Sequence, residues 1–167
     1  MSLNPAQGID SIEIVEVGPR DGLQSEPGVF PTAAKIEFIE RLVDAGLRRV
    51  EVTSFVNPKK ANAAGVRPTI TIGASFGCPF EGEVPVGRVI DIARRVAEAG
   101  PYEVAFADTI GVGVPSQVAE IFGRAREALP GVRLRGHFHN TRNTGLANAY
   151  AAAQAGAVAL DASAGGI

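Results

Sequence analysis

The chain has 167 residues, 46% of them hydrophobic and 20% charged, and a formal net charge of -2. That balance fits one globular domain with a sizeable core. It offers neither the basic cluster that a nucleic acid or anionic membrane partner requires nor an apolar run long enough to span a bilayer. A lone cysteine, Cys78, rules out an internal disulfide and is consistent with a reducing compartment. The start "MSLNPAQGID" lacks the order of a signal peptide, so a cytoplasmic location is expected.

In chain order, a strand is predicted over 11–17, running out into "VGPRDGLQ". A helix over 32–45 follows, with Ile36, Ile39, Leu42 and Val43 at helical spacing, then a strand over 49–55. Further strands are predicted over 69–75, 102–107, 133–138 and 157–162, separated by helices over 86–99, 116–129 and 144–155. Each helix ends before a glycine that can take the left-handed cap conformation: Gly46, Gly100, Gly131 and Gly156. Strands alternating with helices imply parallel pairing by right-handed crossovers, an α/β fold.

One interval breaks the rhythm. The distance from Gly46 to Gly100 is about twice that between the later cap glycines, yet it holds two strands and one convincing helix. The joint "NPKKANAAGVRP" has little apolar periodicity, although a parallel crossover of that length is normally helical. A gap in the repeat is expected near residues 60–68.

In parallel α/β folds ligands sit beyond the carboxyl ends of the strands. The fifth predicted strand ends "GHFHN" and carries both histidines of the chain, His137 and His139. Two apart on a strand, their imidazoles share one face while Phe138 takes the other. Two such rings can hold one metal ion or simply bond neighbouring carbonyls. If the strands surround a common axis, Asp21 at the end of the first strand supplies a third donor. One carboxylate and two imidazoles suit Mg²⁺ or Mn²⁺, with Zn²⁺ also compatible.

Other segments carry structural readings as well. "GPRDG" is ordinary turn chemistry, and "DTIGVGVPSQ" reads as a glycine-rich loop leading to Ser116 as a helix N-cap. The latter lacks the order of a dinucleotide-binding loop. Glu51 could be a structural acid satisfied by an arginine, and Cys78 a small buried side chain.

"VEVGPRDGLQSE", "EVTSFVNPKK", "GCPFEGEV", "FADTIGVGVP" and "GHFHNTRNTGLANAYAAAQAG" stand in the order found in hydroxymethylglutaryl-CoA lyases, which the chain resembles from about residue 11 to 167. The resemblance implies a single catalytic domain over 1–167, a TIM (β/α)₈ barrel lacking about two βα units near 60–68 and the segment after 167. It implies a divalent-metal-dependent acyl-CoA lyase that cleaves 3-hydroxy-3-methylglutaryl-CoA to acetyl-CoA and acetoacetate in a retro-Claisen reaction, in the setting of leucine degradation and ketone-body metabolism. A related 3-hydroxy-3-carboxyalkyl acyl-CoA as substrate, and a noncatalytic fragment, are the alternatives.

Carried over by position, the resemblance makes Asp21, His137 and His139 metal ligands. Arg20 becomes the donor to the thioester oxygen, Glu51 the orienter of the arginine or substrate, and Asp108 a candidate for proton handling. Gln24 joins as a polar substrate contact. The family's catalytic cysteine and a further asparagine ligand belong to a loop after "DASAGGI". Asn140 stands where well-known members carry aspartate, and Cys78 belongs to a different motif from the catalytic cysteine. The partner expected is an acyl-CoA thioester, with no nucleic acid or membrane, and a homodimer is left open.

Overall fold

A computed structural model describes residues 11–53, 65 and 67–166. Its elements are β1 (Glu13–Glu16), α1 (Thr32–Asp44), β2 (Thr69–Ile72), α2 (Val86–Ala97), β3 (Glu103–Asp108), α3 (Pro115–Ala128), β4 (Arg133–Phe138), α4 (Gly145–Gln154) and β5 (Ala159–Ala162). The four predicted cap glycines all have positive φ, from 64° at Gly100 to 106° at Gly156, and each ends the helix expected of it. At the start of α3 the expectation fails. Val114 occupies the N-cap and Pro115 the first turn, so Ser116 caps nothing. Proline's fixed φ already suits that first position and its missing N–H costs nothing there.

All strand pairs are parallel, in the order β1-β5-β4-β3-β2. The last strand therefore lies against the first, which is how a singly wound barrel closes on itself. On the far side of β1 the predicted strand 49–55 contracts to one parallel bridge, Glu16 to Val50. Glu16 N donates to Arg49 O at 3.0 Å and Glu51 N to Glu16 O at 2.8 Å. Among the described residues the segment pairs with β1 alone; residues 54 and 55 lie outside them. Between Val50 and β2 no strand pairs among the described residues. The joint "NPKKANAAGVRP" falls there, and its residues 57–64 and 66 also lie outside the described set.

Alternation along the strands sorts the side chains. On β3, Val104 and Phe106 face the helices while Glu103 and Ala105 face the barrel axis; on β4, Leu134 and Phe138 face out and Arg135 and His137 face in. The outer layer holds the main core. Ile72, Val89, Ile90, Val104, Phe106, Val118, Ile121, Phe122 and Leu134 are buried between the sheet and α2–α4. Phe106 and Phe122 meet edge to face at 5.3 Å. A separate small cluster, Val15, Val17 and Ala159, supports β1. The stripe read on α1 buries only Leu42; Ile36 and Val43 remain half exposed.

No helix of the described residues is long and apolar enough to cross a membrane. Phe122 is fully buried at the centre of the outer layer, so Phe122→Ala should cost about 3–5 kcal/mol. Urea unfolding followed by circular dichroism should show the loss as a lower midpoint with an unchanged slope.

Candidate active site

The first site residues come from the turn after β1. In Gly18–Gly22 the Val17 carbonyl accepts from Arg20 N at 3.0 Å, Asp21 N at 2.8 Å and Gly22 N at 3.4 Å. One acceptor serving donors three, four and five residues on makes a widened π-type turn, a form that recurs at functional sites. It is more than the ordinary turn that "GPRDG" suggests. Buried Glu16 braces it: Oε1 accepts from Gly18 N at 2.7 Å, and both carboxylate oxygens accept from Ala164 N at 3.0 and 3.1 Å. A Cβ at position 18 would stand 2.7 Å from Glu16 Oε1, so glycine is needed for this close approach.

Arg20 and Asp21 therefore project together into a cavity of about 970 Å³ on the concave side of the sheet. Arg20 Nε donates to Glu51 Oε1 at 2.6 Å and Nη1 donates to Asp21 Oδ1 at 3.0 Å. From β4, separated from β1 by β5 alone, His137 and His139 enter the same cavity, their rings 4.9 Å apart and edge to face. Phe138 turns the other way and packs on Phe76 and Phe122. His137 Nε2 is 3.5 Å and His139 Nε2 3.7 Å from Asp21 Oδ2. One donor atom from each of the three residues lies within 4.8 Å of the others.

This cluster fits a cation on its own evidence. Asp21 Oδ2 is buried and has no hydrogen-bond partner among the described residues. A buried carboxylate oxygen without a donor is costly, and a shared ion would satisfy it. Two donors bound to one ion at about 2.1 Å sit roughly 3–3.5 Å apart, so each contact between Asp21 and a histidine is within a few tenths of an ångström of that spacing.

Beneath the cluster the concave face is charged. Arg49 donates to Glu103 Oε1 and Oε2 at 2.9 and 3.1 Å and to Glu13 at 2.8 Å, and Arg133 donates to Glu13 at 2.7 Å. Hydrogen bonding to Glu103 is the main cause that raises the Arg49 pKa above its ordinary value; burial opposes it and Glu13 adds to it. Tyr102 lies under the guanidinium groups of Arg67 and Arg133, 4.0 and 5.0 Å from its ring centre. The carboxylate of Asp161 bonds His137 Nδ1 at 2.8 Å.

Of the residues named from sequence, Arg20, Asp21, Glu51, His137 and His139 are brought together, and Gln24 lies exposed at the cavity rim. Asp108 is not among them. It stands on the helix-facing side of β3, fully buried, where it accepts from Val112 N at 3.0 Å and Gly113 N at 2.9 Å. Gly113 O in turn accepts from Thr144 Oγ1 and Asn148 Nδ2. Asp108 thus folds the loop and ties it to α4. Strand parity contained the warning: Asp108 shares its face with Val104 and Phe106, whereas Ala107 and Thr109 line the cavity.

Asn140 accepts from Gly145 N at 3.0 Å at the start of α4, a structural duty that accounts for a short polar side chain there. Cys78 is half-buried in a tight loop bridged to Gly82, away from the cavity lining. Arg135, Glu103 and Asp161 were missed by motif reading. Their signal was available, as charged residues within apolar strands at the same parity as His137.

A parallel barrel with three metal-type donors and a pinned guanidinium at its carboxyl-terminal mouth defines a barrel enzyme. Residues 58–167 match the HMGL-like family model. The chain is 32% identical to the (R)-citramalyl-CoA lyase of Chloroflexus aurantiacus, with 95% of this chain and 77% of that protein covered. The solved structure of the HMG-CoA lyase from Bacillus subtilis superposes with a TM-score of 0.85 at 28% identity, covering 93% of this chain and 78% of that one. The HMG-CoA lyase of Acinetobacter baumannii, solved with coenzyme A and 3-methylmalate, gives 0.81 at 27% identity, covering 95% and 76%. The chain belongs to the HMGL-like family and is a carbon–carbon lyase with a TIM-barrel fold.

The Chloroflexus alignment runs over 244 positions, more than the residues of this chain. The relative therefore carries residues without counterpart here.

If Asp108 is a loop clamp, Asp108→Ala should strand two backbone donors and lower stability by about 2–4 kcal/mol, read by thermal unfolding. Metal affinity should stay within a few-fold of the parent. Unchanged stability with lost turnover would instead return Asp108 to the chemistry.

Proposed function

We propose that the chain cleaves 3-hydroxy-3-methylglutaryl-CoA to acetyl-CoA and acetoacetate with the help of a divalent cation held by Asp21, His137 and His139. The observation that carries this reading is the guanidinium of Arg20 fixed beside that three-donor cluster. The cation, Mg²⁺ or Mn²⁺ with Zn²⁺ also compatible, would supply Lewis acidity that eases ionisation of the substrate hydroxyl.

The chemical problem is the leaving carbanion. Loss of the hydroxyl proton forms the new ketone as the C2–C3 bond breaks, and the bond's electron pair passes into the thioester as an enolate. Protonation of C2 then gives acetyl-CoA. Arg20 remains cationic throughout and its Nη2 has no hydrogen bond among the described residues. It is placed to donate to the thioester oxygen as charge builds there. Glu51 holds Nε, so the guanidinium plane is set before the substrate arrives. Such preorganisation spares reorganisation at the moment of reaction.

A second reading has its own support. The Chloroflexus relative, at 32% identity, is a citramalyl-CoA lyase. Its substrate differs by one methylene between the carbinol carbon and the carboxylate. A single methylene changes selectivity by about 10- to 200-fold, so kcat/KM for the two thioesters should separate the readings clearly. The first predicts the glutaryl compound to be preferred, the second the citramalyl compound.

Arg20→Gln should reduce kcat by about a hundredfold or more while Mn²⁺ binding, followed by electron paramagnetic resonance, changes little. Turnover within a few-fold of the parent would remove Arg20 from its role. His139→Ala acts at a different step: it should weaken Mn²⁺ binding first, and an unaltered titration curve would remove His139 from the site.

A further inference from the structure

One buried carboxylate next to the donor cluster has no part in the reaction as drawn. The side chain of Asp161, on β5, is 5% exposed. Pairing of Arg135 with Ala159 and of Gly136 with Leu160 sets Asp161 beside His137, where Oδ2 meets Nδ1 at 2.8 Å. We infer that Asp161, held by Arg135, is a positioning residue that fixes His137 in its Nδ1–H form and so aims the Nε2 lone pair at the space shared with Asp21. This rests on the metal reading of the cluster.

The chemistry allows few alternatives. An ionised carboxylate only accepts, so a 2.8 Å contact requires the proton on Nδ1. In the neutral ring Nε2 is then a bare donor atom toward metal, and it is the nitrogen 3.5 Å from Asp21 Oδ2. A carboxylate behind a ligating imidazole fixes both its tautomer and its orientation. His139 has no such side-chain partner among the described residues, so the two rings are held unequally.

Arg135 sets the carboxylate in turn. Its side chain is 4% exposed, and Nη1 lies 3.3 Å from Asp161 Oδ1, within ion-pair range though off hydrogen-bond geometry. Its Nη2 is 3.4 Å from Glu51 Oε2. One guanidinium therefore touches both the carboxylate that holds His137 and the carboxylate that holds Arg20.

The test is Mn²⁺ binding to the purified chain by electron paramagnetic resonance, with ¹⁵N NMR of the imidazole rings in the metal-free protein. The parent should bind Mn²⁺, and His137→Ala should bind it poorly. Asp161→Ala should raise Kd about 10- to 100-fold, with circular dichroism unchanged, and its His137 ring nitrogens should show mixed tautomers instead of one. Asp161→Asn keeps the shape and an acceptor oxygen, and covers the case in which the alanine variant does not fold. It should give a smaller rise and a weakened Nδ1–H hydrogen bond. A parent that fails to bind Mn²⁺ overturns the metal reading and this inference together. A parent that binds, with a folded Asp161 variant matching it in both Kd and ring-nitrogen shifts, overturns the inference alone.

Discussion

The period of two along β4 is the constraint from which the rest of the site follows. Arg133, Arg135 and His137 point toward the barrel axis because Leu134 and Phe138 must point toward the helices, where the apolar core lies. A one-residue slip would bury the charges among Phe76, Phe106 and Phe122 and expose the aromatic side chains. The same parity on β5 places Asp161 against His137, and on β3 it withholds Asp108 from the cavity. Core and active site are thus two faces of one sheet, and neither can be shifted without the other.

That division explains what could be read from the sequence. Helix ends were legible because four cap glycines have a single backbone reason to exist, and all four take positive φ. The donor cluster was legible because two histidines two apart on a strand share a face, and Asp21 follows the end of another parallel strand, β1, at the same end of the sheet. Asp108 sits apart from the cluster because its parity on β3 is that of Phe106, which a motif match does not count. Asp161 and Arg135 were missed for a related reason. A buried ion pair across strands depends on register, and register between β4 and β5 is not local information. The strand expected at 49–55 has residue types that suit a strand, yet its described part, 49–53, makes a single bridge to β1, because pairing is set by the neighbouring backbone and not by residue type alone.

Charge on the concave face has more to do with position than with stability. Glu13, Glu103, Arg49, Arg133 and Arg135 form a connected network in which every side chain touches an opposite charge. Buried ion pairs roughly break even against apolar residues of similar size, because desolvation offsets their attraction. What they do supply is direction. A guanidinium fork accepts carboxylates only along its N–H vectors, and so transmits the position of one strand to the next. Arg49 is the clearest case, its two terminal nitrogens donating to both oxygens of Glu103, while Arg135 lies at ion-pair range between Glu51 and Asp161.

The two sides of the site are nevertheless held by different forces. His137 and His139 stand on β4, backed by the large core beneath α2–α4, where dispersion and apolar burial fix the strand. Arg20 and Asp21 stand after β1, whose own apolar support is Val15, Val17 and Ala159, with much of the α1 stripe exposed. On that side polar staples take over: the β1–β5 ladder, Arg49 on Glu13, and Glu16 binding both Gly18 N and the loop at Ala164. Hydrogen bonds of this kind are directional and short-ranged, so they can place a carboxylate accurately without a thick core. The turn that presents Asp21 and Arg20 is therefore braced by Glu16, a buried acid outside the cavity lining that ties Gly18 to the loop after β5 and so couples the carboxyl ends of the two strands in the β1–β5 ladder.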